Sequence, residues 1–287
     1  MGLYKKYGEK EKGKRILRNT LIAAVLLILG ITTLFPIYYM IISSFSQPIE
    51  AGAASYSLIP KNPTLSSYRF FFDFSKYSYR WIINSLIVAS TVTVSNVILA
   101  GMAGYAFAKL HFPGKRILFF FILFSMMVPY QVTQVPLYIL VSNILNLQDT
   151  YTALIVPSLV TCYNVFLAKQ FIGSIPTVLI EAAKIEGCSQ PKLLMSIILP
   201  LSKTVLAVIA ITTFMGNWNT FFWPFLITSS ESMQTIQVGL KNFSFANTTY
   251  FAPMMAGATI SALPMFLLFF ALQRYFLEGV TIGAVKG

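Results

Sequence analysis

Long apolar stretches that carry almost no charge constrain this chain more than any motif does. Six of them, at about residues 17–44, 82–107, 117–141, 150–172, 204–228 and 254–275, could each cross a hydrocarbon core of about 30 Å as a helix. Only 10% of the residues are charged, against about 25% in soluble domains, so lipid is the natural solvent for these runs. Their apolar residues cover most helix faces, as expected where no face meets water. The expected fold is an all-α integral membrane protein with six transmembrane helices.

The charges that remain sit in the breaks between the runs. With the N-terminus placed inside, the inner segments and their boundaries hold 16 of the 21 Lys and Arg, and the outer ones hold Lys61, Arg69, Lys76, Arg80 and Lys241. That asymmetry places both termini in the cytoplasm. The expected organisation is a basic cytoplasmic tail over 1–16, a membrane domain over 17–275 and a short cytoplasmic tail over 276–287. The membrane domain includes external loops at 45–81 and 229–253 and a cytoplasmic loop at 173–203. The basic start resembles a signal peptide, but the run from Ile16 to about Ser44 is too long for one and reads as a retained anchor. Tyr38, Tyr39, Trp81, Phe221, Phe222 and Trp223 read mostly as an interfacial aromatic belt. The 229–253 loop reads as a polar segment with little apolar core of its own.

Several function classes are disfavoured. The net charge of +12 lies in the breaks rather than in aromatic-laced basic patches, which argues against nucleic acid. Cys162 and Cys188 lie in unlike settings and give neither a disulfide framework nor a metal spacing. Ion-coupled carriers need ionisable groups at membrane depth, yet all nine acidic residues fall outside the runs and the single His111 lies in a loop. Gly8-Glu9-Lys10-Glu11-Lys12-Gly13-Lys14 imitates a phosphate-binding loop. It is followed by Arg15 where a magnesium-holding Ser or Thr belongs, and no strand precedes it. Energy should therefore come from another subunit, and no cofactor or metal is expected in this chain.

The 173–203 loop contains Glu181-Ala182-Ala183-Lys184-Ile185-Glu186-Gly187 and then Ile197-Ile198-Leu199-Pro200. A charged, Ala-rich segment reads as a short helix lying on the membrane face and offered to a partner. Ala182 and Ala183 keep it slim enough for a groove. Glu181 stands near its start, where a negative charge suits the helix dipole. Gly187 permits a sharp turn, and Leu199 and Pro200 set the loop back against the next span. This pattern resembles the coupling loop of ATP-binding-cassette (ABC) importer permeases. The resemblance extends to Asn84-Ser85, to Ala103–Leu110, to Met127–Gln131, to Trp218–Phe221, to Leu263-Pro264 and to the terminal Gly279–Gly287. It is strongest to the carbohydrate-uptake subfamily and, within it, to the maltose-type second permease.

The resemblance implies a type I importer fold in a bacterial inner membrane. The implied partners are a homologous permease, two ATPase subunits that bind ATP and magnesium, and an external sugar-binding protein. It also implies that the tail, with Gly283, Lys286 and Gly287, reaches the ATPases. Sugars need polar groups and an aromatic face within a mostly apolar path. Tyr130, Gln131, Gln134, Asn217, Trp218 and Asn219 are the expected pathway residues, with bonding between helices as the plainer role for each. A permease for glycerol phosphate, a polyol or a polyamine remains an alternative, as does a self-sufficient carrier.

Overall fold

The computed structural model describes residues 2–48, 58–60, 62–244 and 250–284, with side chains from Arg15 to Ala271 within those limits and at Gln273. Two compact units emerge, one from residues 1–71 and 246–260, the other from residues 72–245 and 261–287.

In the smaller unit, α1 (Gly2–Ser44) is one helix of 43 residues, so the basic tail and the first apolar run form a single rod instead of meeting at residue 17. Lys, Glu and Arg are good helix formers, and Pro36 is the first proline the helix meets. The side chains from Arg15 to Ile42 are exposed or half-buried. Tyr38 OH donates to the Leu58 carbonyl at 3.0 Å, and the end of the helix is tied to the segment around α2 (Ser66–Asp73). Ser44 Oγ and Tyr68 OH share a hydrogen bond of 2.7 Å, Ser67 Oγ donates to the Ser46 carbonyl at 2.6 Å, and the Thr64 amide donates to the Phe45 carbonyl at 2.8 Å.

The larger unit is built on α3 (Ser78–Lys109), 32 residues and so about 48 Å long at 1.5 Å per residue. Around it lie α4 (Lys115–Met127), α5 (Tyr130–Ile144), α6 (Tyr151–Ser158), α7 (Cys162–Gly173), α8 (Thr177–Ile185), α9 (Gln190–Leu201), α10 (Lys203–Trp218), α11 (Phe222–Ile227) and α12 (Ile236–Lys241). The last helix, α13 (Phe251–Ala284), contributes residues to both units. No β-strand occurs among the described residues.

Helices α7 and α10 pack along α3. Without water to drive helices together in lipid, close packing of small residues does that work. Gly104 shows it: a Cβ there would stand 2.6 Å from Ala168 Cβ and 2.9 Å from its carbonyl carbon. Midway along α3 a buried amide cluster joins the three helices. Asn164 Nδ2 donates to Asn96 Oδ1 and to Thr213 Oγ1, both at 2.9 Å, and Asn96 Nδ2 donates to the Ser158 carbonyl at 2.8 Å. Asn96 Oδ1 also accepts from the Thr161 amide at 3.0 Å. The cluster thus satisfies backbone groups left open where α6 breaks from α7.

Three helices are long and apolar enough to cross a bilayer alone: Arg15–Ser44, Ser78–Lys109 and Phe251–Ala271. Three further pairs pass that test only together and are bent: α4 with α5 by 97°, α6 with α7 by 40°, and α9 with α10 by 77°. Each pair counted as one span gives up to six. The runs expected at 117–141 and 150–172 are therefore each a bent pair of helices. In the first, Val128 is extended (φ −80°, ψ 120°) ahead of Pro129, because the proline ring disfavours helical backbone in the residue before it. The expected 204–228 run is also not one helix. It stops at Trp218 and resumes at Phe222, while α10 continues backwards across Ser202 into α9.

The 229–253 segment, as far as Ser244, is not a polar strap. Met233, Ile236, Val238 and Phe243 are buried, and the segment is fastened to the start of α3. Trp81 Nε1 donates to the Glu231 carbonyl at 2.8 Å, and Asn84 Nδ2 donates to the carbonyls of Ser232 and Gln234 at 2.9 and 2.8 Å. Ser85 Oγ accepts from the Ile236 amide at 2.8 Å. Gly239 lies so close to the Trp81 indole that any Cβ there would overlap the ring. Trp81 and Trp223 are fully buried, the latter donating to the Ala153 carbonyl at 3.0 Å, so neither belongs to an interfacial belt. An indole whose N–H finds a carbonyl is as content in a core as at an interface.

Candidate functional site

Helix α8 starts at Thr177 behind Pro176, whose φ of −58° is already suited to a helix start. Glu181 is therefore mid-helix and not in the first turn, which holds no acidic residue, and the expected dipole interaction is withdrawn. The helix end is a Schellman motif. The Cys188 amide donates to the Ala183 carbonyl at 2.9 Å and the Gly187 amide to the Lys184 carbonyl at 3.0 Å. Gly187 has φ +77°, with open space where a Cβ would stand. Backbone conformation, not crowding, demands the glycine.

The two faces of α8 differ. Ile180 and Ala183 are buried with Ile175, Leu193 and Ile198 in the core under α3 and α7. Ala183 is thus part of the chain's own packing and does not slim an outer face. At 100° per residue the opposite face carries Val178, Ala182 and Ile185. Val178 is 70% exposed and Ile185 87% exposed, and Glu181, Lys184 and Glu186 flank them in solvent. An exposed apolar stripe on a short helix that is anchored from behind is a surface built to receive something.

Behind it, residues 190–201 are helical rather than a returning loop, with a π-turn at Leu194–Ile198. Ile198 is the buried anchor, whereas Leu199 is half-buried and Pro200 exposed. Two contacts join this base to α3 that sequence reasoning did not single out. Tyr105 OH donates to Gln190 Oε1 at 2.6 Å, and Lys109 Nζ donates to the carbonyls of Gly173 and Ile175 at 3.1 and 2.6 Å. A lysine near the C-terminal end of a helix, so placed, caps the carbonyls that α7 leaves open.

The expected pathway residues separate. Tyr130 and Asn217 line one small enclosed cavity with Ser85, Thr220, Trp223 and Thr235, about 30 Å³ in volume. That is room for about two waters and too little for a sugar ring. Thr235 Oγ1 and Gln134 Oε1 are buried without a hydrogen-bond partner. Gln131 and Asn219 are exposed. Trp218 is buried, with Nε1 donating to the Ser261 carbonyl at 2.9 Å, and is a packing residue rather than a lining one. Of the tail residues, Gly283 lies in α13, and Lys286 and Gly287 lie outside the described residues. Among the described residues no cluster of His, Cys, Asp or Glu could hold a metal ion.

Comparison with known proteins matches residues 96–282 to the family model described as "Binding-protein-dependent transport system inner membrane component". The arabinooligosaccharides transport system permease protein AraQ of Halalkalibacterium halodurans is 32% identical, over 88% of this chain and 91% of its own. AraQ of Bacillus subtilis is 30% identical, over 91% and 93%. The sn-glycerol-3-phosphate transport system permease protein UgpE of Yersinia pestis is 30% identical, over 89% and 94%. In three dimensions the chain resembles a chain of a bacterial ABC transporter involved in importing the acidic polysaccharide alginate. The TM-score is 0.80 at 22% identity, over 91% of this chain and 96% of that one. The matched model, covering more than half of the sequence, and the near-full-length relatives lead to one conclusion: the chain belongs to the family of binding-protein-dependent transport system inner membrane components, the permeases of ABC transporters.

Proposed function

We propose that this chain is one of two permease subunits of an ATP-driven importer that takes up a sugar or oligosaccharide across a bacterial inner membrane. An external solute-binding protein would deliver the sugar, and two ATPase subunits would bind and hydrolyse ATP. The observation that carries the reading is α8. It is locked from behind by Ile180 and Ala183, ended by Gly187 at φ +77°, and bare on the face formed by Val178, Ala182 and Ile185. Seated in an ATPase groove, such a helix would move as a rigid lever. Its base would pass the movement to α3 through Tyr105 and Lys109.

The excess of Lys and Arg at that end of α3 supports placing α8 in the cytoplasm, and up to six spans accords with cytoplasmic termini. Oligosaccharide transport in the names of two relatives supports a carbohydrate cargo, and glycerol 3-phosphate in a third keeps that solute as the alternative. The cavity bounded by Tyr130 and Asn217 would have to widen for either to pass. The tail with Gly283, Lys286 and Gly287 would reach the ATPases. The test is reconstitution in liposomes with the genetically linked partners. The expected result is uptake that requires ATP, the second permease and sugar-loaded binding protein. Uptake by this chain alone would make it a self-sufficient carrier and overturn the reading.

A further inference from the structure

The elbow between α3 and α4 holds an open groove of about 640 Å³ that the coupling function does not use. Its walls are aromatic. The Phe107 ring lies 5.7 Å from that of Phe112 and 5.6 Å from that of Phe119. Its rim is cationic, with Lys115, Arg116 and Lys169 all lining it and no carboxylate among the lining residues.

These cations are only lightly engaged. Lys169 Nζ stands 4.8 Å from the Phe119 ring centre, and Lys115 Nζ donates one hydrogen bond, to the Leu110 carbonyl at 2.8 Å. An ammonium has three donors, so both have capacity left. Arg116 is exposed and has no hydrogen-bond partner among the described residues. Lys109, close by, is different: its ammonium is committed to the carbonyls of Gly173 and Ile175.

Position narrows the ligand. The groove sits where one apolar helix ends at Lys109 and the next begins at Lys115, the depth of a lipid headgroup. Along α4 from the groove, Ile117 is 64% exposed, Phe120 63%, Phe121 59% and Phe124 56%, one apolar stripe at helical spacing. A free phosphate would use the cations and ignore the stripe. A neutral lipid would use the stripe and ignore the cations.

We propose that the α3–α4 elbow binds an anionic phospholipid, its phosphate held by Lys115, Arg116 and Lys169 and its acyl chains laid along α4. Because Lys169 lies on α7, four residues before the Gly173 carbonyl that Lys109 caps, the bound lipid braces the base on which α8 stands.

The test uses the full complex in nanodiscs of phosphatidylcholine doped with a photoactivatable phosphatidylglycerol, with crosslinked peptides mapped by mass spectrometry. The proposal expects crosslinks within residues 107–121. At an anionic surface each cation is worth roughly a factor of five, so the Lys115→Gln, Arg116→Gln, Lys169→Gln variant should lose at least about tenfold of them. Arg80→Gln, at the other end of α3, should lose none. If the triple variant does not fold, Arg116→Gln alone, which breaks no internal contact, should still lose several-fold. Equal labelling by a phosphatidylcholine probe overturns the proposal, as does full displacement by inorganic phosphate, which would mark a simple anion site. Loss of a partner subunit from the variant complex with labelling unchanged also overturns it, by making the elbow a protein interface.

Discussion

The two ends of α3, about 48 Å apart by helix rise, are organised in opposite ways. At the Ser78 end, Trp81, Asn84 and Ser85 hold the 230–241 segment by hydrogen bonds to its backbone, and Gly239 closes over the indole with no room for a side chain. Tyr151 OH donates to Asn84 Oδ1 as well, so the amide is used on both sides. At the Lys109 end the packing lies behind α8, and its front face of Val178, Ala182 and Ile185 is exposed among the described residues. The difference separates structure from function. A region whose apolar surface is buried internally and whose loop backbone is held by side chains of its own helix has little left for a partner, whereas α8 is complete as a fold and incomplete as a surface.

That contrast can be broken by substitution, since the Ser78 end should respond in stability and α8 in coupling. The largest effect is expected at Trp81. Trp81→Ala empties a fully buried site and frees the Glu231 carbonyl, so about 3–5 kcal/mol should be lost, read as a lower unfolding temperature of the purified complex. Asn84→Ala removes two donated bonds and one accepted bond and should cost about 1–3 kcal/mol in the same assay. If either variant kept its thermal stability and lost only transport, the Ser78 end would be a working surface and the contrast would fail.

Parts of this arrangement can be read in the sequence and parts cannot. The short helix is legible because Glu181-Ala182-Ala183 is helix-favouring and polar between apolar runs, and Gly187 marks its end. Its start lies four residues before Glu181, at Thr177, and the signal for it is Pro176, a helix-starting proline. Trp81 and Trp223 were expected at an interface because a tryptophan near the end of an apolar run suits a belt and a core equally. Only the presence of the Glu231 and Ala153 carbonyls decides between them. Asn96, Asn164 and Thr213 carry no signature, since a lone amide in an apolar run gives no hint of which neighbour will meet it. The break at Pro129 is visible in sequence, whereas the 97° turn it permits depends on what the two halves pack against.

Smaller effects sharpen the comparison at α8. Gly187→Ala forces a Cβ onto a left-handed residue and should cost about 1–2 kcal/mol, because the space around it is open and only the backbone is strained. Gly187→Asp should leave membrane insertion intact while weakening ATPase retention, read as subunit stoichiometry after purification. A Gly187→Ala complex with unchanged stability would mean that the turn relaxes without the glycine.

The smallest expected stability change belongs to the substitution that should matter most for transport. Ile185 is 87% exposed among the described residues, so Ile185→Asp should alter stability by no more than about 0.5 kcal/mol. The decisive measurement is ATP hydrolysis by the reconstituted Ile185→Asp complex with and without loaded binding protein. The account predicts an unfolding temperature equal to wild type and loss of binding-protein-stimulated hydrolysis, with ATPase subunits retained weakly or not at all. Full stimulated hydrolysis in a stoichiometric Ile185→Asp complex would contradict it and remove α8 as the coupling surface.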